Sequence, residues 1–111
     1  MIRQDDEGIL IAKDELSALI KEDMPVLIVD IRKKTEGGSI PGSVHVHVYD
    51  QLKANETNAF DGLDLPHDRP IITFCNSGNL SIVAAEILQK KGYAARSLKG
   101  GMNNWMNDGN E

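Results

Sequence analysis

The chain has 111 residues, of which 41% are hydrophobic and 26% are charged, and this composition is typical of a single soluble globular domain. Twelve basic residues against seventeen acidic residues give a net charge of −5, so no basic excess favours nucleic acid or an anionic membrane as a partner. No stretch approaches the roughly 20 apolar residues that span a bilayer, and the polar residues 1–7 lack the apolar run of a signal peptide. We therefore expect one cytoplasmic domain over residues 1–111, with its core at about 9–105.

In chain order, the predicted elements alternate between strands and helices. Apolar runs predict strands at 9–11, 26–29 and 71–74, and the alternation of valine with histidine over 44–48 predicts a further strand. Apolar positions at helical spacing predict helices at 13–22 and 79–91. Weaker patterns predict a helical turn at 51–55, a polar loop at 55–67, a last strand at 93–98, a short helix that carries Trp105 as a packing residue, and a tail at 107–111. This alternation is typical of an α/β domain with a mostly parallel sheet between helices.

Cys75, the only cysteine, lies between the predicted strand 71–74 and the predicted helix 79–91. The intervening Asn-Ser-Gly turn can direct backbone N–H groups at the sulfur, and the helix N-terminus adds partial positive charge on the same side. Both effects favour the thiolate, which is the nucleophilic form, and Gly78 can adopt the positive φ that a curled loop needs. Free cysteines are also common as inert core residues, so this context alone leaves a reactive and a structural cysteine equally open.

Two pairs of polar side chains lie near the ends of other predicted strands. Asp30 and Arg32 are two residues apart and share a side of the chain. Arg32 could lend positive potential to the sulfur, but we favour a structural ion pair that ties the strand end to the next loop. His45 and His47 also share a face, yet no third ligand occurs at a recognisable spacing, so we predict a partly exposed strand face and no metal site.

Four segments stand out in order along the chain: 26–32 (VLIVDIR), 40–43 (IPGS), 75–81 (CNSGNLS) and 98–105 (LKGGMNNW). Their order and spacing resemble those of rhodanese-like domains, and the resemblance runs from about Ile9 to Trp105. It implies a three-layer α/β fold in which a five-stranded, mostly parallel sheet has helices on both faces.

The resemblance also implies a sulfurtransferase. Cys75 would take a sulfane sulfur from thiosulfate or a persulfide donor, hold it as a persulfide, and pass it to a thiophilic acceptor such as a thiol or a partner protein. The substrate cradle would consist of the loop residues Asn76, Ser77, Gly78, Asn79, Leu80 and Ser81. No metal or organic cofactor is implied, because covalent catalysis divides the transfer into two steps.

The loop departs from the pattern of the family's active members, which often carry an Arg or Lys where this chain has Asn76 and Leu80. Ser39 also replaces a histidine that often precedes the Ile-Pro-Gly motif. We therefore predict weak activity with thiosulfate, or a physiological donor that is a persulfide. The uncharged loop leaves a catalytically silent protein-binding module as the alternative. A cysteine phosphatase or arsenate reductase is less favoured, because the Arg of their Cys-x5-Arg loop is replaced here by Ser81.

Overall fold

The computed structural model describes residues 8–34 and 38–106, and over these ranges the chain forms an α/β fold. The strands are β1 (Leu10–Ile11), β2 (Leu27–Asp30), β3 (Val44–His45), β4 (Ile71–Phe74) and β5 (Ala95–Leu98). The helices are α1 (Lys13–Lys21), α2 (Tyr49–Lys53), α3 (Asn79–Lys90) and α4 (Gly101–Met106). All strand pairs are parallel, in the order β1-β5-β4-β2-β3, which confirms the predicted five-stranded sheet.

The central strands send alternate side chains into two separate cores. Val29 and Ile71 belong to a first core that α2 and α3 cover, whereas their neighbours Ile28 and Ile72 belong to a second core that α1 and α4 cover. The helices contribute Leu52, Ala84 and Leu88 to the first core and Leu16 and Met102 to the second. Because helices cover both faces of the sheet, both faces must be apolar, which explains the continuous apolar runs in the sequence. The predicted three-layer arrangement is confirmed.

The strand predicted over 44–48 is wrong in its length. Val44 and His45 pair with β2, and the Val46 N–H makes one more hydrogen bond to it, to the Asp30 carbonyl at 3.0 Å. The Val48 N–H then donates to the Val46 carbonyl at 2.9 Å, and α2 begins at the next residue. Val44 is 45% exposed at the sheet edge, whereas Val48 is 3% exposed within the first core. The alternation of valine and histidine therefore does not distinguish a strand from an extended segment that leads into a helix.

The other predicted elements lie within a few residues of the observed ones. Segment 55–67 forms turns, and Phe60 within it is 2% exposed and belongs to the first core, so this loop is less polar inside than its composition indicates. Trp105 packs against the second core as predicted. The polar segment 1–7 and the predicted tail 107–111 lie outside the described residues. None of the helices within the described ranges has the length and apolarity needed to span a bilayer.

Candidate functional site

The cysteine lies at the carboxyl end of the central strand. β4 has β5 on one side and β2 on the other, and Asp30 at the end of β2 is in register with Phe74 at the end of β4. The Ile31 N–H donates to the Phe74 carbonyl at 3.0 Å, so the two segments leave the sheet side by side. Ligands of parallel α/β sheets bind at this edge. The structure therefore brings the residues after β2 and Cys75 together.

The Cys75 sulfur lies among hydrogen-bonding groups although its side chain is only 5% exposed. The Gly78 backbone N–H donates to Sγ over an N–Sγ distance of 3.2 Å, and the thiol donates to Ser81 Oγ at 3.5 Å. The fully buried Ser81 hydroxyl shares a 2.7 Å hydrogen bond with the hydroxyl of Ser97 on β5, which is also fully buried. The sulfur is therefore hydrogen-bonded to one buried hydroxyl, which is in turn hydrogen-bonded to a second. Ser97 was not predicted, and the only signal for it is a polar residue in a strand that is otherwise mostly apolar.

The loop after Cys75 is curled by a left-handed residue at the start of α3. Gly78 has φ of 97°, as the sequence predicts, and a Cβ at this position would lie 3.1 Å from the Gly100 nitrogen. The Thr73 hydroxyl donates to the Ser81 carbonyl at 2.8 Å, which ties the first turn of α3 back to β4. Strand, loop and helix start are therefore one rigid unit around the sulfur.

The start of α4 supports the loop from behind. The Met102 N–H donates to the Cys75 carbonyl at 2.7 Å, and the Asn103 N–H donates to the Asn76 carbonyl at 2.9 Å. These bonds fix the two peptide groups that follow the sulfur. Only a glycine fits at residue 101, because a Cβ on Gly101 would lie 2.3 Å from the Cys75 carbonyl oxygen. The Gly-Gly pair of the fourth sequence motif is therefore part of the site's support.

An open cavity of about 470 Å³ lies over the sulfur and its loop. Four of the predicted cradle residues line it: Asn76, Ser77, Asn79 and Leu80. The other two, Gly78 and Ser81, do not line the cavity and instead contact the sulfur from the protein side. The six residues are thus divided between a face toward the cavity and a face toward the sulfur.

The far wall of the cavity comes from residues that, apart from Arg32, the sequence did not single out. Tyr49 and Lys53 of α2 and Val83 of α3 line it, together with Arg32. The spacing of four residues places Tyr49 and Lys53 on one side of a helix. No sequence pattern shows, however, that this side of α2 faces the cysteine loop.

Arg32 and Asp30 form a buried ion pair, with exposed fractions of 4% and 1%. Arg32 Nη2 lies 2.7 Å from Asp30 Oδ2, and Arg32 Nε donates to Oδ1 at 3.0 Å. The same Nη2 donates to the Gly38 carbonyl at 2.7 Å and to Ser39 Oγ at 3.0 Å. These contacts tie the end of β2 to the loop that follows. Arg32 also lines the cavity, but the buried carboxylate neutralises its charge.

The two histidines do not share a strand, because β3 ends at His45 and His47 follows it. His45 Nε2 lies 2.6 Å from the Arg32 carbonyl oxygen, and the two imidazole centroids are 4.2 Å apart. In the part of the chain that the structure describes, no three His, Cys, Asp or Glu side chains converge to hold a metal ion. His45 thus holds the segment after β2 in place.

The chain is similar to known proteins along nearly its whole length. A family model for the rhodanese-like domain matches residues 12–108. The chain belongs to the rhodanese-like family. A tRNA sulfurtransferase of Desulfurococcus amylolyticus is 32% identical over 78 residues, which are 68% of this chain and 14% of that protein. A sulfurtransferase of Allochromatium vinosum is 29% identical over 103 residues, which are 89% of each chain.

The crystal structure of a rhodanese-like domain protein from Staphylococcus aureus superimposes on this chain with a TM-score of 0.70 at 28% identity, covering 91% of this chain and 94% of that one. The rhodanese-like fold that the four sequence motifs imply is therefore confirmed. This rhodanese-like chain corresponds to only 14% of the tRNA sulfurtransferase, so that similarity concerns one part of a much longer protein.

Proposed function

We propose that this rhodanese-like chain is a sulfurtransferase or sulfur carrier, which moves a sulfane sulfur from thiosulfate or a persulfide donor to a thiophilic acceptor through a persulfide on Cys75. The observation that carries the proposal is the position of Sγ, which lies under an open cavity and 3.2 Å from the Gly78 nitrogen. An inert core cysteine needs neither feature. The relatives named tRNA sulfurtransferase and sulfurtransferase support a sulfurtransferase-type role.

The transfer divides into two displacements at sulfur. First, the Cys75 thiolate attacks the outer sulfur of thiosulfate, the bond between the two donor sulfurs breaks, and sulfite leaves with the electron pair. Second, an acceptor such as a thiolate or cyanide attacks the outer sulfur of the persulfide and releases the Cys75 thiolate. The cysteine sulfur is oxidised in the first step and reduced in the second, so no external oxidant or cofactor is consumed.

The groups around Sγ suit a sulfur that carries negative charge. The Gly78 N–H already points at it from the N-terminal end of α3. When Cys75 loses its proton, the Ser81 hydroxyl can turn to donate to the sulfur while Ser97 donates to Ser81, because either hydroxyl can be the donor at 2.7 Å. A reducing compartment such as the cytoplasm would keep this thiol available.

The charges in the cavity favour a persulfide over thiosulfate as the donor. The loop residues that line the cavity are uncharged, and the cationic lining residues are Arg32, which is paired with a buried carboxylate, and Lys53, which is exposed. A hydrogen bond to a charged group contributes about 1.5–3 kcal/mol, against about 1 kcal/mol for a neutral one. A dianion therefore gains less here than in a loop that carries its own Arg.

A steady-state assay tests the proposal, with cyanide as the acceptor and with either thiosulfate or a low-molecular-weight persulfide as the donor. We expect kcat/KM for thiosulfate to be at least about tenfold lower than for the persulfide, the effect of one lost charged hydrogen bond. The Cys75→Ser variant, with folding checked by circular dichroism, is expected to turn over neither donor. A kcat/KM for thiosulfate that matches efficient rhodaneses would contradict the donor preference, and turnover by Cys75→Ser would contradict the mechanism.

The uncharged loop also favours a second candidate, a rhodanese-like module that binds a partner protein without transferring sulfur. Folded wild-type protein that turns over no donor would support it. Phosphatase or arsenate reductase chemistry is less favoured, because Ser81 stands where a clamping Arg is needed and is fully buried against the sulfur. The net charge of −5 does not favour nucleic acid as a partner, and the proposed function includes none.

A further inference from the structure

The cavity extends beyond the cysteine loop along a wall that α2 and α3 form. Tyr49 and Lys53 lie on one side of α2, and Leu80 and Val83 belong to α3. Leu52, 2% exposed in the first core, holds α2 in place. The wall therefore combines an apolar surface, made by the tyrosine ring and two aliphatic side chains, with one cationic side chain.

Lys53 is the cation of this wall whose charge is not neutralised. Arg32 lies 2.7 Å from the Asp30 carboxylate, whereas Lys53 makes no ion pair with any residue that the structure describes. No Asp or Glu among the described residues lines the cavity. In a chain of net charge −5, this wall thus offers an anion one cationic side chain and no carboxylate among the described lining residues.

The size and surface of the cavity suit an organic ligand. Its volume of about 470 Å³ falls in the range of pockets for small organic molecules, about 300–1,000 Å³. An inorganic anion at the sulfur would leave most of that space and the apolar wall unoccupied.

We propose that the cavity binds an organic persulfide or thiol that carries a carboxylate, and that Lys53 determines this specificity. The inference rests on the proposed function and narrows its substrate class: the carboxylate meets Lys53, the carbon chain lies along Tyr49 and Val83, and the sulfur reaches Cys75. The lysine ammonium is a compact point charge, which matches the single charge of a carboxylate.

The loading step then needs no further reactant. The Cys75 thiolate attacks the outer sulfur of a donor R–S–SH, a new S–S bond forms, and the donor's own S–S bond breaks. Its electron pair leaves on R–S⁻, so that Cys75–S⁻ and R–S–SH give Cys75–S–SH and R–S⁻. An acceptor thiol that carries a carboxylate can occupy the same cavity for the reverse step.

Two matched donors test the inference: the persulfides of N-acetylcysteine and of N-acetylcysteine amide, which differ only in carboxylate against amide. Loading of the protein is followed by rapid quench and intact mass spectrometry. We expect the wild type to load about threefold to fivefold faster from the carboxylate donor at low salt. This ratio corresponds to the free energy of an ion pair at a partly solvated lysine. Lys53→Gln is expected to bring the ratio of the two rates to about one, and Lys53→Arg to retain the preference.

Lys21→Gln is the control, because Lys21 is an exposed lysine on α1, across the sheet from the cavity, and is expected to keep the wild-type ratio. A wild type without preference, or a Lys53→Gln variant that keeps the wild-type ratio, overturns the inference, while the loading itself leaves the proposed function standing. If the folded wild type gains no sulfur from either donor, the proposed function fails and the inference fails with it.

Discussion

Replacing Arg32 with methionine is expected to lower the free energy of unfolding by about 3–5 kcal/mol, measured by urea denaturation. The substitution leaves the Asp30 carboxylate, 1% exposed, without the guanidinium that lies 2.7 Å from it. It also removes the hydrogen bond to the Gly38 carbonyl, so the loop after β2 loses an anchor. The uncompensated buried charge accounts for most of the expected loss, because a desolvated charge is far more costly than a lost neutral hydrogen bond.

Two further variants separate this cause from a general effect of losing an arginine. Asp30→Asn combined with Arg32→Met removes the buried charge and is expected to recover part of the stability. Arg69→Met removes an arginine whose partner Asp68 is 76% exposed, and it is expected to cost less than about 1 kcal/mol. Equal losses in Arg32→Met and Arg69→Met would contradict the role given to the buried pair.

Replacing Gly101 with alanine is expected to lower the free energy of unfolding by about 1–3 kcal/mol and to slow sulfur loading of Cys75 by roughly tenfold or more. The new Cβ would lie 2.3 Å from the Cys75 carbonyl oxygen and 2.8 Å from the Asn76 carbonyl oxygen. Relief of these contacts requires α4 to move away and to lose the hydrogen bonds from its N–H groups to both carbonyls. The peptide groups after the sulfur would then no longer be held. Urea denaturation and quenched-flow mass spectrometry measure the two effects.

Gly92→Ala is the matched control for this prediction. Gly92 has φ of 99° at the end of α3, and a Cβ there would meet nothing within 4 Å. This variant therefore carries the backbone strain of a positive φ, about 1–2 kcal/mol, without a collision at the site. It is expected to lose some stability and to load at the wild-type rate. Loading that is equally slow in both variants would contradict the support that α4 gives to the loop.

The parts of this molecule that depend on local pattern could be predicted from the sequence. The runs at 26–29 and 71–74 are apolar because both faces of the sheet are covered, and their carboxyl ends are adjacent because the strands are parallel. The position of Cys75 between a strand and a helix could be predicted in the same way. The positive φ of Gly78 could also be predicted, because a strand that turns at once into a helix needs a small residue with positive φ.

The parts that depend on contacts between distant segments could not be predicted. Ser97 lies under the sulfur only because β5 pairs with β4, and the sequence separates it from Ser81 by 16 residues. Tyr49 and Lys53 belong to a five-residue helix whose side toward the cavity is set by how it packs on α3. The sequence shows that the loop after Cys75 has no cationic side chain, but only the folded structure shows that Lys53 lines the cavity.

The central claim, that Cys75 carries the transferred sulfur, is tested most directly by intact mass spectrometry of one sample through a full cycle. The wild type is incubated with a persulfide or with thiosulfate, freed of donor, and then given a thiol acceptor. We predict a gain of one sulfur atom, mapped to Cys75 and absent in Cys75→Ser, followed by its complete loss as the acceptor persulfide appears. No gain from any donor, or an added sulfur that remains on the protein when the acceptor is present, would contradict the claim.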